Sequence, residues 1–349
     1  MKKTIVFSLI AVSLCIILSY KFLTSGSVVV NKNDTPSQKL YINLFEPKLL
    51  TNTFYEYDPT LQENTVLLKK KIPDYTTFSY SKLHNKLYFA DKAEDGTMQL
   101  FVKDLQKNQI RQLTKELGNV DLIQIDNKQT TVFMRVLLKD EYRNFHIATY
   151  NIEKDKLEIW EKDDKDKSIL DFDYNPINNK LVIVSFSEAE DKKKLEEANE
   201  KQITMRPAKY SLDIYNVDGN KEKHVSLVEK FISGASFADD ESSVIFSYDE
   251  NLTNPTSHVA EINLNSKKIK SLFDDTEKHF KIRALKYSEK SEGFFFLSSL
   301  YDSKKDYNTL GSPKESVLSY YDIKKKTVKD IWHTDKGVIV NYSMEIKRM

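Results

Sequence analysis

Cysteine is nearly absent. The chain's single cysteine, Cys15, lies inside an N-terminal apolar run, so nothing downstream can form a disulfide or a thiolate metal site. Glycine and proline are scarce, at 8 each in 349 residues, which argues against collagen-like and low-complexity architectures. An excess of one charge is missing as well. With 53 Lys and Arg against 52 Asp and Glu, a net charge of +1 sets up no field to gather nucleic acid or an anionic membrane surface. The histidines, His84, His146, His224, His258, His279 and His333, are scattered without metal-ligand spacing. No GxSxG nucleophile elbow, HExxH, P-loop or dinucleotide-binding glycine pattern occurs. The stretch DKAEDG (91–96) lacks the alternating ligands of a calcium loop and reads as a hairpin turn.

What is abundant is aromatic. Tyr and Phe number 19 each, and 40% of the chain is hydrophobic, a balance that favours half-buried strands and a large folded core. Residues 4–20, TIVFSLIAVSLCIILSY, carry no charge and are preceded by Lys2 and Lys3. As a helix they span ~26 Å, and Phe22 and Leu23 extend the run toward the ~30 Å hydrocarbon thickness. Residues 1–23 therefore read as a signal anchor crossing the cell membrane once, with the body outside the cytoplasm and residues 24–37 as a polar tether. Two alternatives stay open: secretion after cleavage behind Ser25-Gly26-Ser27, and a lipoprotein signal ending at Cys15.

A repeat organises the remainder. Six segments, exemplified by LFVKDLQKNQIRQL (100–113) and VAEINLNSKKIKSL (259–272), run as an aromatic or apolar strand ending in Asp or Asn, a polar turn and a second strand. Their anchors, Asp58, Asp104, Asn151, Asn216, Asn263 and Asp322, stand 46, 47, 65, 47 and 59 residues apart. At these anchors a short polar side chain can hydrogen-bond the backbone of the following turn. Upstream of five of them lies another strand pair, such as ILDFDYNPINNKLVIVSF (169–186). Four strands at a period near 47 predict a β-propeller blade, which can bury its faces only against neighbouring blades. The missing inner strand of the first blade is supplied by VIVNYSM (338–344). The fold expected is thus all-β: a six-bladed propeller over residues 38–349, closed by N- and C-terminal strands.

The stretch DGTMQLFVKDLQKNQIRQLT (95–114) resembles the repeat of TolB-type, WD40-like six-bladed propellers, through Asp95, Gly96, Leu100, Val102, Asp104, Leu105, Arg111, Gln112, Leu113 and Thr114. The glycine of that family's first turn is mostly absent from the other copies, where SKLHNK, NPINNK and ADDESS stand instead. The resemblance implies the propeller architecture across residues 38–344.

Counting the terminal blade as blade one, and the strands of each blade from A on the inside to D on the outside, the long insertions fall on one face. They occupy 187–209 in blade four, 249–258 in blade five and 300–316 in blade six. This face is the expected partner surface, for an envelope protein, peptide or glycan, with Glu188, Lys194, Leu195, Glu197, Tyr301 and Tyr307 as contacts. Residues 187–202 should form a helix that projects into solvent, supported by the pairs Glu188–Lys192, Glu190–Lys194 and Glu197–Lys201. On the inner strands, Asp121, Asp171 and Asp173 face the cations Arg283 and Lys286, an arrangement suited to a small charged ligand or a divalent cation; no other cofactor is expected. The function expected is a non-catalytic binding or scaffold module of the cell envelope. The alternative is a propeller hydrolase or lyase with a metal or acid–base site at the channel mouth.

Overall fold

Strand alternation is realised as six antiparallel sheets of four strands each. The computed structural model describes residues 37–345 apart from 73, 253–255, 275–278 and 301–315. The expected anchor and nearly all of the tether lie outside the described residues, among which no helix is long and apolar enough to cross a membrane. Blades two to six take consecutive strands, with inner strands Phe78–Ser81, Leu117–Ile125, Lys167–Asn175, Phe231–Phe237 and His279–Tyr287. Blade one joins the two ends of the chain. Its inner strand, Val338–Met344, pairs with Leu40–Glu46, placing Leu40 opposite Met344.

The anchors of the outer hairpins all do the same local work. Asp58 accepts the Thr60 N–H at 2.9 Å, Asp104 that of Lys107 at 2.9 Å, and Asn151 that of Lys154 at 2.8 Å. Asn216, Asn263 and Asp322 repeat the bond to Asn220, Ser266 and Lys325 at 2.9, 2.8 and 2.8 Å. A carboxylate or amide oxygen thus satisfies turn N–H groups that no strand partner reaches. The scarcity of glycine is met by other residues in left-handed backbone: Asn85, Gln129, Asn179 and Glu241 hold the first turns of blades two to five at φ of 49° to 58°.

The core is divided into six clusters, one in each gap between blades. Tyr41, Phe54, Phe78 and Phe89 fill the gap from blade one to blade two, and Ile245, Phe273, Phe294 and Phe296 that from five to six. Each fully buried aromatic ring contributes about 2–3 kcal/mol, and only the closed ring buries both faces of every blade.

The inner strands are irregular. Bulges break their register against the second strand in blades one, three, four, five and six. Within described strands, Leu122, Lys281 and Ala284 take left-handed backbone at φ of 48°, 54° and 51°. Each bulge shifts the inward and outward alternation, so the side chains that face the channel do not follow a simple period of two.

The insertion in blade four is helical, as expected, over Glu188–Lys201 (α1), with Ser187 Oγ accepting the Glu190 N–H at 3.0 Å. It does not project freely. Arg143, from the loop between the second and third strands of blade three, binds Glu188 at 3.4 Å and Asp191 at 2.7 Å, and Ala198 is buried. Of the three expected intrahelical ion pairs, Glu197–Lys201 forms, at 2.5 Å. Glu188 is drawn to Arg143 instead, because a guanidinium on a neighbouring loop offers a better-fixed partner than a solvated lysine.

Candidate functional site

Where the inner strands run into their first turns they enclose a cavity of about 480 Å³, to which all six blades contribute. That volume lies in the range of small-molecule sites. It opens on the face of the A–B turns, whereas the insertions lie on the opposite face. Tyr80, Tyr174, Phe237 and Met344 supply apolar wall, and Gln124, Gln129 and Asn175 supply amides.

The floor carries one ion pair. Lys286 of blade six reaches Asp173 of blade four at 2.5 Å, and Ser236 of blade five donates to the same carboxylate at 2.7 Å. The Ser236 hydroxyl in turn accepts the Tyr287 N–H at 3.0 Å, so three blades are tied at this point. Around the rim, Asn175 donates to Asp239 at 2.9 Å and Lys82 pairs with Glu345. Gln38 donates to the Glu345 carbonyl at 2.9 Å, which places the start and end of the described chain at the cavity mouth.

Two lining groups are unsatisfied. The Tyr41 hydroxyl and Gln38 Oε1 are buried and have no hydrogen-bond partner among the described residues. Tyr41 is 2% exposed, its ring stands edge-on to Tyr80 at 5.0 Å, and burial raises its phenol far above the ordinary range, so it is a neutral donor. Leaving such a group unpaired costs about 1–3 kcal/mol, a cost that a ligand removes once the side chains covering it move aside.

The five channel candidates separate. Asp173 and Lys286 meet, as described. Asp171 lies deeper and accepts the Ala235 N–H at 3.1 Å; protein surrounds it, water reaches it along the channel, and burial raises its carboxyl to about 6. Asp121 is taken up by Arg135 through two bonds, at 2.7 and 2.6 Å, and Arg135 also donates to the Leu170 carbonyl and stacks 4.4 Å over Phe145. It therefore joins blade three to blade four. Arg283 donates to the Ile339 carbonyl of blade one at 2.9 Å, and burial lowers its guanidinium to about 10.

On the insertion face, α1 carries Glu188, Lys194, Leu195 and Glu197, with Leu195 40% exposed; Tyr301 and Tyr307 lie outside the described residues. Among the described residues no three His, Cys, Asp or Glu side chains come together as a metal would require. His224 pairs with Asp213 at 2.8 Å and His279 with Ser298 at 2.9 Å, both contacts between neighbouring strands of a blade. Sequence reasoning missed Tyr41 and Gln38. Their signal was weak: they precede the first anchor and join the cavity only through ring closure.

With this geometry in hand, comparison with known proteins places the architecture. The chain is 27% identical over 321 residues to the uncharacterized protein YdjN of Bacillus subtilis, covering 90% of this chain and 89% of YdjN. Among solved structures it superposes on TolB from Acinetobacter baumannii with a TM-score of 0.59 and 10% identity, over 88% of this chain and 66% of TolB. The fold is that of the TolB-type propellers. An oligogalacturonate lyase solved with manganese aligns with a TM-score of 0.50 and 12% identity, over 86% of this chain and 75% of the lyase. No family model matches the chain. One architecture thus serves proteins with different roles, and it is the site that must decide function.

Proposed function

We propose that this propeller is a non-catalytic recognition module of the cell envelope, held at the membrane by residues 4–23, and that its A–B cavity binds a small neutral ligand rich in hydroxyl or amide groups, such as a saccharide. The observation that carries the reading is the unsatisfied Tyr41 hydroxyl in the wall of a 480 Å³ cavity. Aromatic rings and amides surround it, and the Asp173–Lys286 pair cancels the charge at the floor. An aromatic wall with few, fixed polar groups matches a ligand that is itself part apolar and part hydrogen-bonding.

Catalysis is the weaker reading. Asp121 and Asp173 are each committed to a cation, and Asp171 lies outside the cavity lining. The test is thermal unfolding of the full-length chain in detergent with a panel of mono- and disaccharides. A member of the panel should raise the midpoint, and Tyr41→Phe should reduce that rise. A panel without effect, or a rise unchanged in Tyr41→Phe, counts against the reading.

A second surface is favoured by one observation. Arg143 fixes α1 on the insertion face and leaves Leu195 exposed there, a rigid presentation suited to an envelope protein or peptide.

A further inference from the structure

Arg283 occupies an unusual position. Its side chain is half-buried in the channel, its bonds go to the main-chain carbonyls of Ile339 at 2.9 Å and Val340 at 3.4 Å, and it forms no ion pair among the described residues. A cation held partly out of water without a bonded counter-charge is poorly compensated. Asp171 and Asp173 share this stretch of channel, but among the described residues neither bonds to it. Tyr342, whose hydroxyl donates to the Ala284 carbonyl at 2.7 Å, is buried within the fields of Asp171, Asp173 and Arg283 together. A second cation stands two residues earlier: burial chiefly lowers the Lys281 amine, Asp249 opposes that effect, and the Arg283 charge adds to it.

The backbone adds an independent sign. Of the three non-glycine residues that take left-handed backbone inside described strands, Lys281 and Ala284 flank Arg283. The register of this inner strand against its neighbour also breaks on both sides of Arg283. Such backbone is strained for a residue other than glycine, and strain of this kind gathers where a side chain must be aimed. Arg283 precedes Lys286 by three residues on this irregular strand, so its backbone lies at most ~10 Å from that of Lys286, toward the insertion face.

We infer that Arg283, assisted by Lys281, forms an oxyanion site in the channel, independent of the A–B cavity and taking a phosphate or carboxylate group of a small molecule or chain end. The guanidinium fork has donors to spare after its two carbonyl bonds, and a planar oxyanion accepts them in pairs.

Thermal unfolding of the full-length protein in detergent tests this, with inorganic phosphate and acetate each compared with sodium chloride at equal ionic strength and pH 7. At least one oxyanion should raise the midpoint by about 2 °C or more over chloride, and phosphate against acetate tells which group is preferred. Arg283→Gln should abolish the excess, and Arg111→Gln, on an exposed outer strand, should keep it. Arg283→Lys, which retains charge without the fork, should weaken it. No excess for either oxyanion in the wild type, which needs no variant, overturns the site. An excess that persists in whichever Arg283 variant folds overturns it equally.

Discussion

Lys286 and Asp173 are 113 residues apart and in direct contact, Nζ to Oδ1, across the width of blade five. Their side chains are 13% and 8% exposed, so both charges have lost most of their contact with water.

Removing one partner alone should therefore be costly. Lys286→Met is expected to destabilise the chain by about 3–5 kcal/mol, and the double change with Asp173→Leu to recover most of that loss. Denaturant unfolding of the three variants checks it. Additive losses in the double variant would mean that the two charges are not coupled.

Asp171 makes stability depend on pH in a direction opposite to most carboxylates. Its folded carboxyl titrates at about 6, against about 4 when unfolded. Between those values the folded chain holds more protons than the unfolded chain, so stability falls as pH rises from about 4 to about 6. Asp171→Asn should flatten this fall, which is on the order of 3 kcal/mol. An unchanged slope between pH 4 and 7 in the variant would assign the titration elsewhere.

The turns make a further prediction from backbone alone. Gln62 holds the left-handed position of its outer hairpin at φ 58°, while Gly219 holds the matching turn of blade four at φ 83°. Gln62→Gly should stabilise by about 0.5–1 kcal/mol. Gly219→Ala should cost about 1–3 kcal/mol, because the added Cβ would also lie 2.8 Å from the Trp160 ring. Equal effects of the two changes would contradict the assignment.

The fold was open to reading from the sequence because its signals are local and repeated. Asp104 and its five counterparts each fix one hairpin, and the unmatched strand at 338–344 closes the ring. The site was harder to read. Bulges in five inner strands shift which side chains face the channel, so membership of an inner strand grouped Asp121 with Asp173 although Arg135 takes it up in the joint between blades. Tyr41, Gln38 and Ser236 carry no motif and gain meaning only when six distant segments meet. Arg143 likewise gave no hint that it would hold α1, since that contact spans 48 residues.

The central claim is that ligand binds at the A–B end of the channel, and site-specific photo-crosslinking tests it most directly. A photoreactive residue is placed at Ile177 on the cavity rim, and another at Leu195 on α1, in the full-length protein. Intact cells are irradiated and the purified protein is weighed by intact-mass spectrometry. The account predicts a discrete small-molecule adduct from Ile177 that is absent from Leu195. A folded protein with no adduct at Ile177, with or without a protein adduct at Leu195, would contradict it.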